Sequence, residues 1–211
     1  MKPKFVKRKF YIGCKLKDSL ENRFLNFHKM AYPISKLWAY PVLRVFIRKI
    51  NGMENVPEKS LFIIAANHEK LADPLYIIYP ILKKLNMKVH FLSTGRWWFF
   101  GDTICRKWAG CIPIFDRGQA YEEARKQIKS GEIVGFFPEG HLNAKKSYPK
   151  TGAVRLAIET KTPILPIGIN SSYLPFNSVI NIGKPFFLNG KEDIEKQSLD
   201  LIRRIYKLRD G

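Results

Sequence analysis

The spacing of hydrophobic and polar positions divides the chain into two parts. Apolar residues recur at helical spacing over residues 18–50, with basic residues interleaved and two prolines that break the pattern. Beyond Asn51-Gly52, a pair typical of turns, short apolar runs of strand length alternate with amphipathic helical stretches. We therefore predict an N-terminal segment, residues 1–51, and a second domain, residues 52–211.

The second part has the pattern of an α/β domain. Strands are predicted at residues 61–66, 88–93, 111–115, 132–137, 163–169 and 179–188. Helices are predicted at residues 74–85, 96–109, 119–129, 150–160 and 194–208. Strands that alternate with helices indicate a mostly parallel central sheet flanked by helices. The first part is predicted to add an N-terminal amphipathic helical pair.

The charge of the chain points to a polyanionic partner. Its 211 residues include 37 Lys and Arg against 18 Asp and Glu, which gives a net charge of +19. An anionic membrane, a nucleic acid or an acidic ligand would each suit such a surplus. We find no RRM, KH or zinc-finger pattern, and the aromatic residues concentrate in apolar stretches, so a nucleic-acid partner is not favoured.

The N-terminal segment combines this charge with apolar residues. Residues 1–17 hold seven Lys or Arg, and the helical stretch that follows is rich in aromatic side chains. Such helices suit the plane of a membrane interface, but an ordinary helical hairpin packed on the domain fits the pattern equally well. Because no apolar run reaches the roughly 18 residues of a spanning helix, we expect a peripheral, monotopic protein on the cytoplasmic face of a membrane.

Cysteine usage gives little sign of a metal or a disulfide framework. The three cysteines are an odd number without a CxxC pair, which is typical of a reducing compartment. We predict no metal site and no cofactor.

A histidine and an aspartate follow the first strand of the second part. His68 comes just after the apolar run 61–66, and Asp73 stands five residues later, directly before Pro74. An aspartate followed by proline is typical of a helix start, with the aspartate as N-cap. His68 would then lie on the loop, where Asp73 could bond its Nδ1–H and leave Nε2 as a general base. Asp73 as a plain helix cap and His68 as a plain loop residue remain the alternative.

Two further strands end in polar residues. Glu139 and Gly140 follow the predicted strand 132–137, and Asp116 and Arg117 follow the predicted strand 111–115. The carboxyl ends of parallel strands share one edge of a sheet, which is where α/β proteins bind ligands. An arginine there can hold a phosphate, although an ion pair between Asp116 and Arg117 is also possible.

The order of these motifs resembles the four blocks of the glycerolipid acyltransferases. The blocks are Asn67-His68 with Asp73, Gly110 to Arg117, Phe137-Pro138-Glu139-Gly140, and Pro163 to Ile167. The branch that they resemble most is that of the 1-acylglycerol-3-phosphate acyltransferases. The resemblance covers residues 52–190.

The resemblance implies acyl transfer from acyl-CoA or acyl carrier protein to the hydroxyl of 1-acylglycerol-3-phosphate, which gives phosphatidic acid. His68 would be the general base and Asp73 its orienter. Substrate-binding residues would be Asn67, Arg117, Glu139, Gly140 and His141. His141 could donate a hydrogen bond to the acceptor, or it could be an ordinary loop residue.

The third block departs from the family, which continues Glu-Gly with Thr-Arg. Here Glu139-Gly140 is followed by His141 and Leu142, so the expected arginine is absent from the motif. A nearby lysine could supply the charge but not the fork geometry of a guanidinium. A sibling enzyme with another lysolipid or an aminoacyl-lipid acceptor is therefore the alternative function. A non-catalytic lipid-binding relative is a further one.

Overall fold

The computed structural model describes residues 40–58, 61–94, 105–106, 109–142 and 148–211. All of them belong to one unit, Tyr40–Gly211, in which residues 40–46 are helical. The predicted N-terminal helices before residue 40, and most of the predicted helix at residues 96–109, lie outside the described residues.

Seven strands of the described residues form one sheet. They are β1 (Ile47–Asn51), β2 (Ile63–Ala66), β3 (Val89–Ser93), β4 (Ile112–Pro113), β5 (Ile133–Phe136), β6 (Ile164–Asn170) and β7 (Ser178–Ile182). Their order across the sheet is β1-β7-β6-β2-β5-β3-β4. Neighbouring strands are parallel except for the antiparallel pair β6 and β7. The predicted α/β fold with a mostly parallel sheet is confirmed.

Helices cover both faces of the sheet. They are α1 (Asp73–Leu85), α2 (Arg117–Lys129), α3 (Gly152–Thr160) and α4 (Ile194–Asp210). Side chains of α1 pack with Ile64 and Ile167 in one core cluster, whereas side chains of α2, α3 and α4 pack with Ile63 and Ile164 in another. Because β2 is buried on both faces, it reads in the sequence as a continuous apolar run without alternation.

One prediction is wrong at the start of the described unit. We expected a helix as far as residue 50, but Ile47–Asn51 forms β1, which pairs in parallel with β7. The side chain of Asn51 strengthens this pairing, since its Nδ2 donates to Asn181 Oδ1 at 2.6 Å. Residues 47–51 thus belong to the sheet, while the membrane role of residues 1–51 stays a prediction.

The last turn of α4 lies directly against the sheet. A Cβ on Gly168 of β6 would overlap the backbone of Leu208 and Arg209, so only glycine permits this approach. Asn181 of β7 donates from Nδ2 to the carbonyl of Leu208 at 2.6 Å, which satisfies a carbonyl near the helix end. The side chains of this turn are therefore held next to the carboxyl ends of the central strands.

The parallel arrangement of β2 and β5 brings their carboxyl ends to the same edge of the sheet. Residues 67–72 follow β2 there, and residues 137–142 follow β5. Within the described ranges, no helix is long and apolar enough to cross a membrane.

Candidate active site

The loop after β2 places His68 beside Asp73, as predicted. His68 Nδ1 lies 3.1 Å from Asp73 Oδ2, with 16% of the histidine side chain and none of the aspartate side chain exposed. In the tautomer that donates Nδ1–H to the carboxylate, Nε2 carries a free lone pair. The arrangement is that of a general base with its orienting carboxylate.

Asp73 organises the loop rather than capping its own helix. Helix α1 begins at Asp73, its N-cap is Ala72, and no side chain makes a capping hydrogen bond, so the predicted cap is wrong. Asp73 Oδ2 instead accepts from the backbone N–H of Glu69 at 2.6 Å and of Lys70 at 2.8 Å. Its Oδ1 has no hydrogen-bond partner among the described residues. One carboxylate oxygen therefore fixes both the turn of the loop and the histidine ring.

An aromatic stack supports the ring of His68. The ring lies on Phe137 with centroids 4.0 Å apart and planes at 15°, and Phe137 lies on Phe91 at 5.1 Å. A Cβ on Gly135 would overlap the Phe91 ring, so this glycine makes room for the stack. The stack therefore limits the orientations that the His68 ring can take.

Glu139 turns its carboxylate toward the histidine loop. The side chain is 2% exposed, and Oε2 accepts the backbone N–H of His68 at 3.0 Å, while Oε1 accepts the hydroxyl proton of Tyr206. Burial raises the pKa of Glu139, and the hydrogen bonds from Tyr206 and His68 partly offset that effect. These contacts show Glu139 as a support of the loop, and the substrate contact that the resemblance implies stays a prediction.

The residues after Glu139 form a tight turn. Gly140 has a φ of +79°, a conformation that glycine adopts without strain, and its N–H donates to the carbonyl of Phe137 at 3.0 Å. A Cβ on Gly140 would also come within 3.2 Å of the Lys150 side chain. His141 is exposed, and Leu142, at the position of the expected arginine, is 36% exposed.

Asn67 joins two strands. It is 1% exposed, its Nδ2 donates to the carbonyl of Ile169, and its Oδ1 accepts the N–H of Ile169, both at 2.8 Å. These bonds continue the pairing of β2 with β6 beyond the end of β2. Burial and these two bonds give Asn67 a structural role, and the substrate contact that the resemblance implies stays a prediction.

Arg117 stands apart from the other predicted site residues. It is the first residue of α2, is exposed, and follows β4, which lies three strands from β2. At about 4.8 Å per strand this corresponds to a separation of roughly 14 Å along the same edge. Asp116 is the N-cap of α2 and accepts from Gln119 N at 2.8 Å, so the ion pair considered with Arg117 is not formed. A phosphate bound at Arg117 would therefore lie near the end of β4, and β4 is roughly 14 Å from β2, the strand before His68.

Sequence reasoning missed two residues that reach the site from α4. Tyr206 bonds to Glu139, and Arg209 Nη1 lies 3.2 Å from Oε1 of Glu69, the residue after His68. Burial and the adjacent Glu139 carboxylate raise the pKa of Tyr206 to about 12, so its hydroxyl remains a donor at neutral pH. The spacing of Tyr206 and Arg209 by three positions places them on one helix face, which was the only available signal.

The described residues place no protein nucleophile in hydrogen-bond contact with His68. No serine or cysteine among the described residues hydrogen-bonds to His68, and those residues contain no group of three or more His, Cys, Asp or Glu able to hold a metal ion. A partly exposed histidine ring without a protein hydroxyl beside it could activate a hydroxyl that a substrate brings.

Comparison with known proteins adds to this geometry. The family described as Acyltransferase matches residues 47–170, from β1 to the end of β6. A 1-acyl-sn-glycerol-3-phosphate acyltransferase of Borreliella burgdorferi is 27% identical over 151 residues, which is 66% of this chain and 58% of that protein. One of Bacillus subtilis is 26% identical over 153 residues, or 68% of each chain.

The fold also has a counterpart among solved structures. The crystal structure of the 1-acyl-sn-glycerophosphate acyltransferase PlsC from Thermotoga maritima covers 96% of this chain and 90% of its own, with a TM-score of 0.64 and 21% identity. At that identity the likeness shows a shared fold. The alignment with the Borreliella burgdorferi protein spans less than two thirds of that protein's length.

Proposed function

The chain belongs to the acyltransferase family, and from this membership we propose that it transfers a fatty acyl group to the free hydroxyl of 1-acylglycerol-3-phosphate. The donor is acyl-CoA or acyl carrier protein, and the product is phosphatidic acid for phospholipid synthesis. The observation that carries the proposal is the contact of 3.1 Å between His68 and Asp73. The names of the relatives from Borreliella burgdorferi and Bacillus subtilis support the choice of acceptor.

The proposed reaction is a direct transfer that needs no cofactor. His68 Nε2 takes the proton of the acceptor hydroxyl while its oxygen attacks the thioester carbonyl carbon. The tetrahedral intermediate collapses with cleavage of the carbon–sulfur bond, and the thiolate takes the proton back from His68. Asp73 stabilises the imidazolium between these two steps and keeps the ring in one orientation.

Acceptor binding is proposed for groups at the same edge of the sheet. Arg117 is exposed and offers a guanidinium to a phosphate, and Lys150 lies over Gly140 beside the third block. His141 is exposed on the same turn. Leu142, where the family has an arginine, favours the alternative of another lysolipid acceptor because it offers no charge to a phosphate.

The function is tested with the full chain, an acyl-CoA or acyl carrier donor and a panel of lysolipids. We expect release of the donor thiol together with formation of an ester, fastest with 1-acylglycerol-3-phosphate. Faster transfer to an uncharged or zwitterionic lysolipid would favour the alternative acceptor. An absence of ester with every acceptor and both donors would contradict the proposed function.

An exposed apolar patch next to the loop of His68 supports a membrane partner. The patch, which we call the carboxyl-edge patch, consists of side chains that are 40–66% exposed: Val42, Val45, Leu71, Leu75, Tyr173, Leu174 and Phe176. Hydrogen bonds connect the chain segments that carry the patch. Phe176 N donates to the carbonyl of Val45 at 2.6 Å, and Leu71 N donates to the Tyr173 hydroxyl at 3.2 Å. Apolar patches of this kind mark interaction sites.

Positive charge borders the carboxyl-edge patch. The Lys70 ammonium is 6.0 Å from the centroid of the Tyr173 ring, and Arg44 is exposed on the helical residues 40–46. Apolar and basic side chains together suit an anionic membrane surface, where a lysophospholipid acceptor resides. We therefore propose a peripheral protein that lies with this edge on the cytoplasmic face of a membrane. A membrane role of the basic residues 1–51 is a separate proposal.

A charge placed in the patch should weaken membrane binding. Leu174→Asp removes apolar contact worth about 1.5–3 kcal/mol when buried and adds repulsion from anionic lipid, so we expect vesicle binding to fall by about tenfold or more. Sedimentation with phosphatidylglycerol-containing vesicles measures this. Phe187→Asp is the control, because Phe187 is 72% exposed but follows Phe186, which pairs with Ile164 at the opposite edge of the sheet. Equal binding of the two variants would contradict the proposed orientation.

A further inference from the structure

A single carboxylate, that of Glu139, connects the Tyr206 side chain with the backbone of His68. The Tyr206 hydroxyl donates to Oε1 of Glu139, and Oε2 of the same group accepts the His68 N–H at 3.0 Å. Because Glu139 is 2% exposed, water competes little for either bond. A hydrogen bond to a buried charged group is stronger than one between neutral groups at a surface.

Arg209 contacts Glu69, the residue after His68. Its Nη1 is 3.2 Å from Oε1 of Glu69, and its guanidinium lies 4.6 Å from the centroid of the Tyr206 ring. The side chains of Arg209 and Glu69 are 26% and 25% exposed, so this ion pair is largely shielded from solvent. One face of α4 thus contacts the histidine loop through two separate carboxylates, which belong to different segments of the chain.

These contacts depend on where the end of α4 lies. Gly168 allows the backbone of residues 208 and 209 to meet β6, and Asn181 holds the carbonyl of Leu208. The end of α4, which carries Arg209, is therefore fixed to the sheet by close packing and by a hydrogen bond. A displacement of a catalytic group by about 1 Å can cost roughly 10²-fold in rate.

We propose that Tyr206 and Arg209 are positioning residues for acyl transfer, which hold the loop 67–70 through Glu139 and Glu69 so that His68 stays aligned with Asp73. This inference rests on the proposed function. Neither residue lies in the four motifs, and both act through another side chain rather than on the substrate.

Tyr206→Phe tests the first contact, because it removes the hydroxyl and keeps the ring on which Arg209 lies. We expect kcat to fall by about 10- to 100-fold with KM values for both substrates changed less than about twofold, since the base is misplaced while substrate groups are intact. Tyr121→Phe is the matched control. Tyr121 of α2 donates to Glu159 Oε2 at 2.7 Å, a bond of the same type away from the site, and its loss should leave kcat unchanged.

A double variant separates positioning through Glu139 from a general effect on the fold. If Tyr206 acts through this carboxylate, Tyr206→Phe should cause no further fall in kcat in a Glu139→Ala background. An additive fall would overturn the proposal. Arg209→Gln provides an independent variant if either of these fails to fold, and a lower kcat at constant KM is again the expected result.

Hydrogen exchange of the His68 amide gives a readout that does not need activity. Loss of the Tyr206 hydroxyl should speed this exchange by about tenfold in the full chain, and loss of the Tyr121 hydroxyl should not. If the His68 amide exchanges faster in Tyr206→Phe but the wild type transfers no acyl group, the proposed function is refuted. The hydrogen-bonded arrangement of Tyr206, Glu139 and His68 is then still supported. The inference would be refuted if the wild type transfers acyl groups normally and the Tyr206→Phe and Tyr121→Phe variants have the same kcat and the same exchange rate of the His68 amide.

Discussion

Replacing His68 with alanine should lower acyl transfer by at least about 10²-fold and leave the chain folded. The loss follows because general base catalysis contributes typically about 10²–10⁴-fold, and no other described histidine, serine or cysteine contacts Asp73. The fold should survive because the bond to Glu139 uses the backbone N–H of residue 68, which alanine also has. Initial rates at saturating donor and acceptor, with thermal unfolding of the same samples, measure both effects.

The matched comparison is His68→Gln, which keeps a side chain of similar length that can still hydrogen-bond to Asp73. Glutamine cannot accept the hydroxyl proton, so it should be as inactive as alanine if the base is what matters. Transfer by His68→Ala within tenfold of the wild type would contradict the assignment of the base. Recovery in His68→Gln alone would mean that the ring only orients other groups.

Asp73→Asn should lower kcat by roughly 10²-fold while it keeps most of the stability. Three donors converge on Oδ2 of Asp73: His68 Nδ1–H, Glu69 N–H and Lys70 N–H. The two backbone donors force the amide oxygen of an asparagine into the same position, so the tautomer of His68 is retained. What is lost is the negative charge that stabilises the imidazolium, and the expected 10²-fold fall corresponds to about 2.7 kcal/mol of transition-state stabilisation.

Asp73→Ala is the control that removes the hydrogen bonds as well. It leaves two backbone N–H groups without an acceptor at about 1–3 kcal/mol each, so its free energy of unfolding should fall clearly below that of Asp73→Asn. Urea unfolding compares the two variants. A wild-type rate of acyl transfer in Asp73→Asn would contradict a catalytic role of the negative charge. Equal free energies of unfolding of Asp73→Asn and Asp73→Ala would contradict the role of Asp73 as acceptor for the loop amides.

The contact between His68 and Asp73 could be predicted because the two residues are close in the sequence. His68 and Asp73 are separated by one loop between a buried strand and a helix, and both ends of that loop carry recognisable patterns. The position of Glu139 followed from the parallel sheet, since the ends of parallel strands share an edge. The N-cap prediction for Asp73 was wrong because the backbone of Glu69 and Lys70 turns back onto the carboxylate, which residue types do not reveal.

Long-range contacts explain what the sequence did not show. Strand β1 carries the exposed Arg48 and Lys49 after a helical stretch, and it exists because β7, some 130 positions later, pairs with it. Tyr206 lies on a helix with ordinary periodicity, and its partner Glu139 is 67 positions away. Such residues are indistinguishable from surface positions until the packing of the helix is known.

The packing of α4 against Gly168 also determines when the histidine loop gains its support during synthesis. Synthesis proceeds from the N-terminus, so β2, β5 and β6 leave the ribosome before α4 does. The histidine loop then lacks its two supports, Tyr206 and Arg209, until α4 docks. We expect a nascent chain to gain acyl-transfer competence only after α4 has been made and has docked.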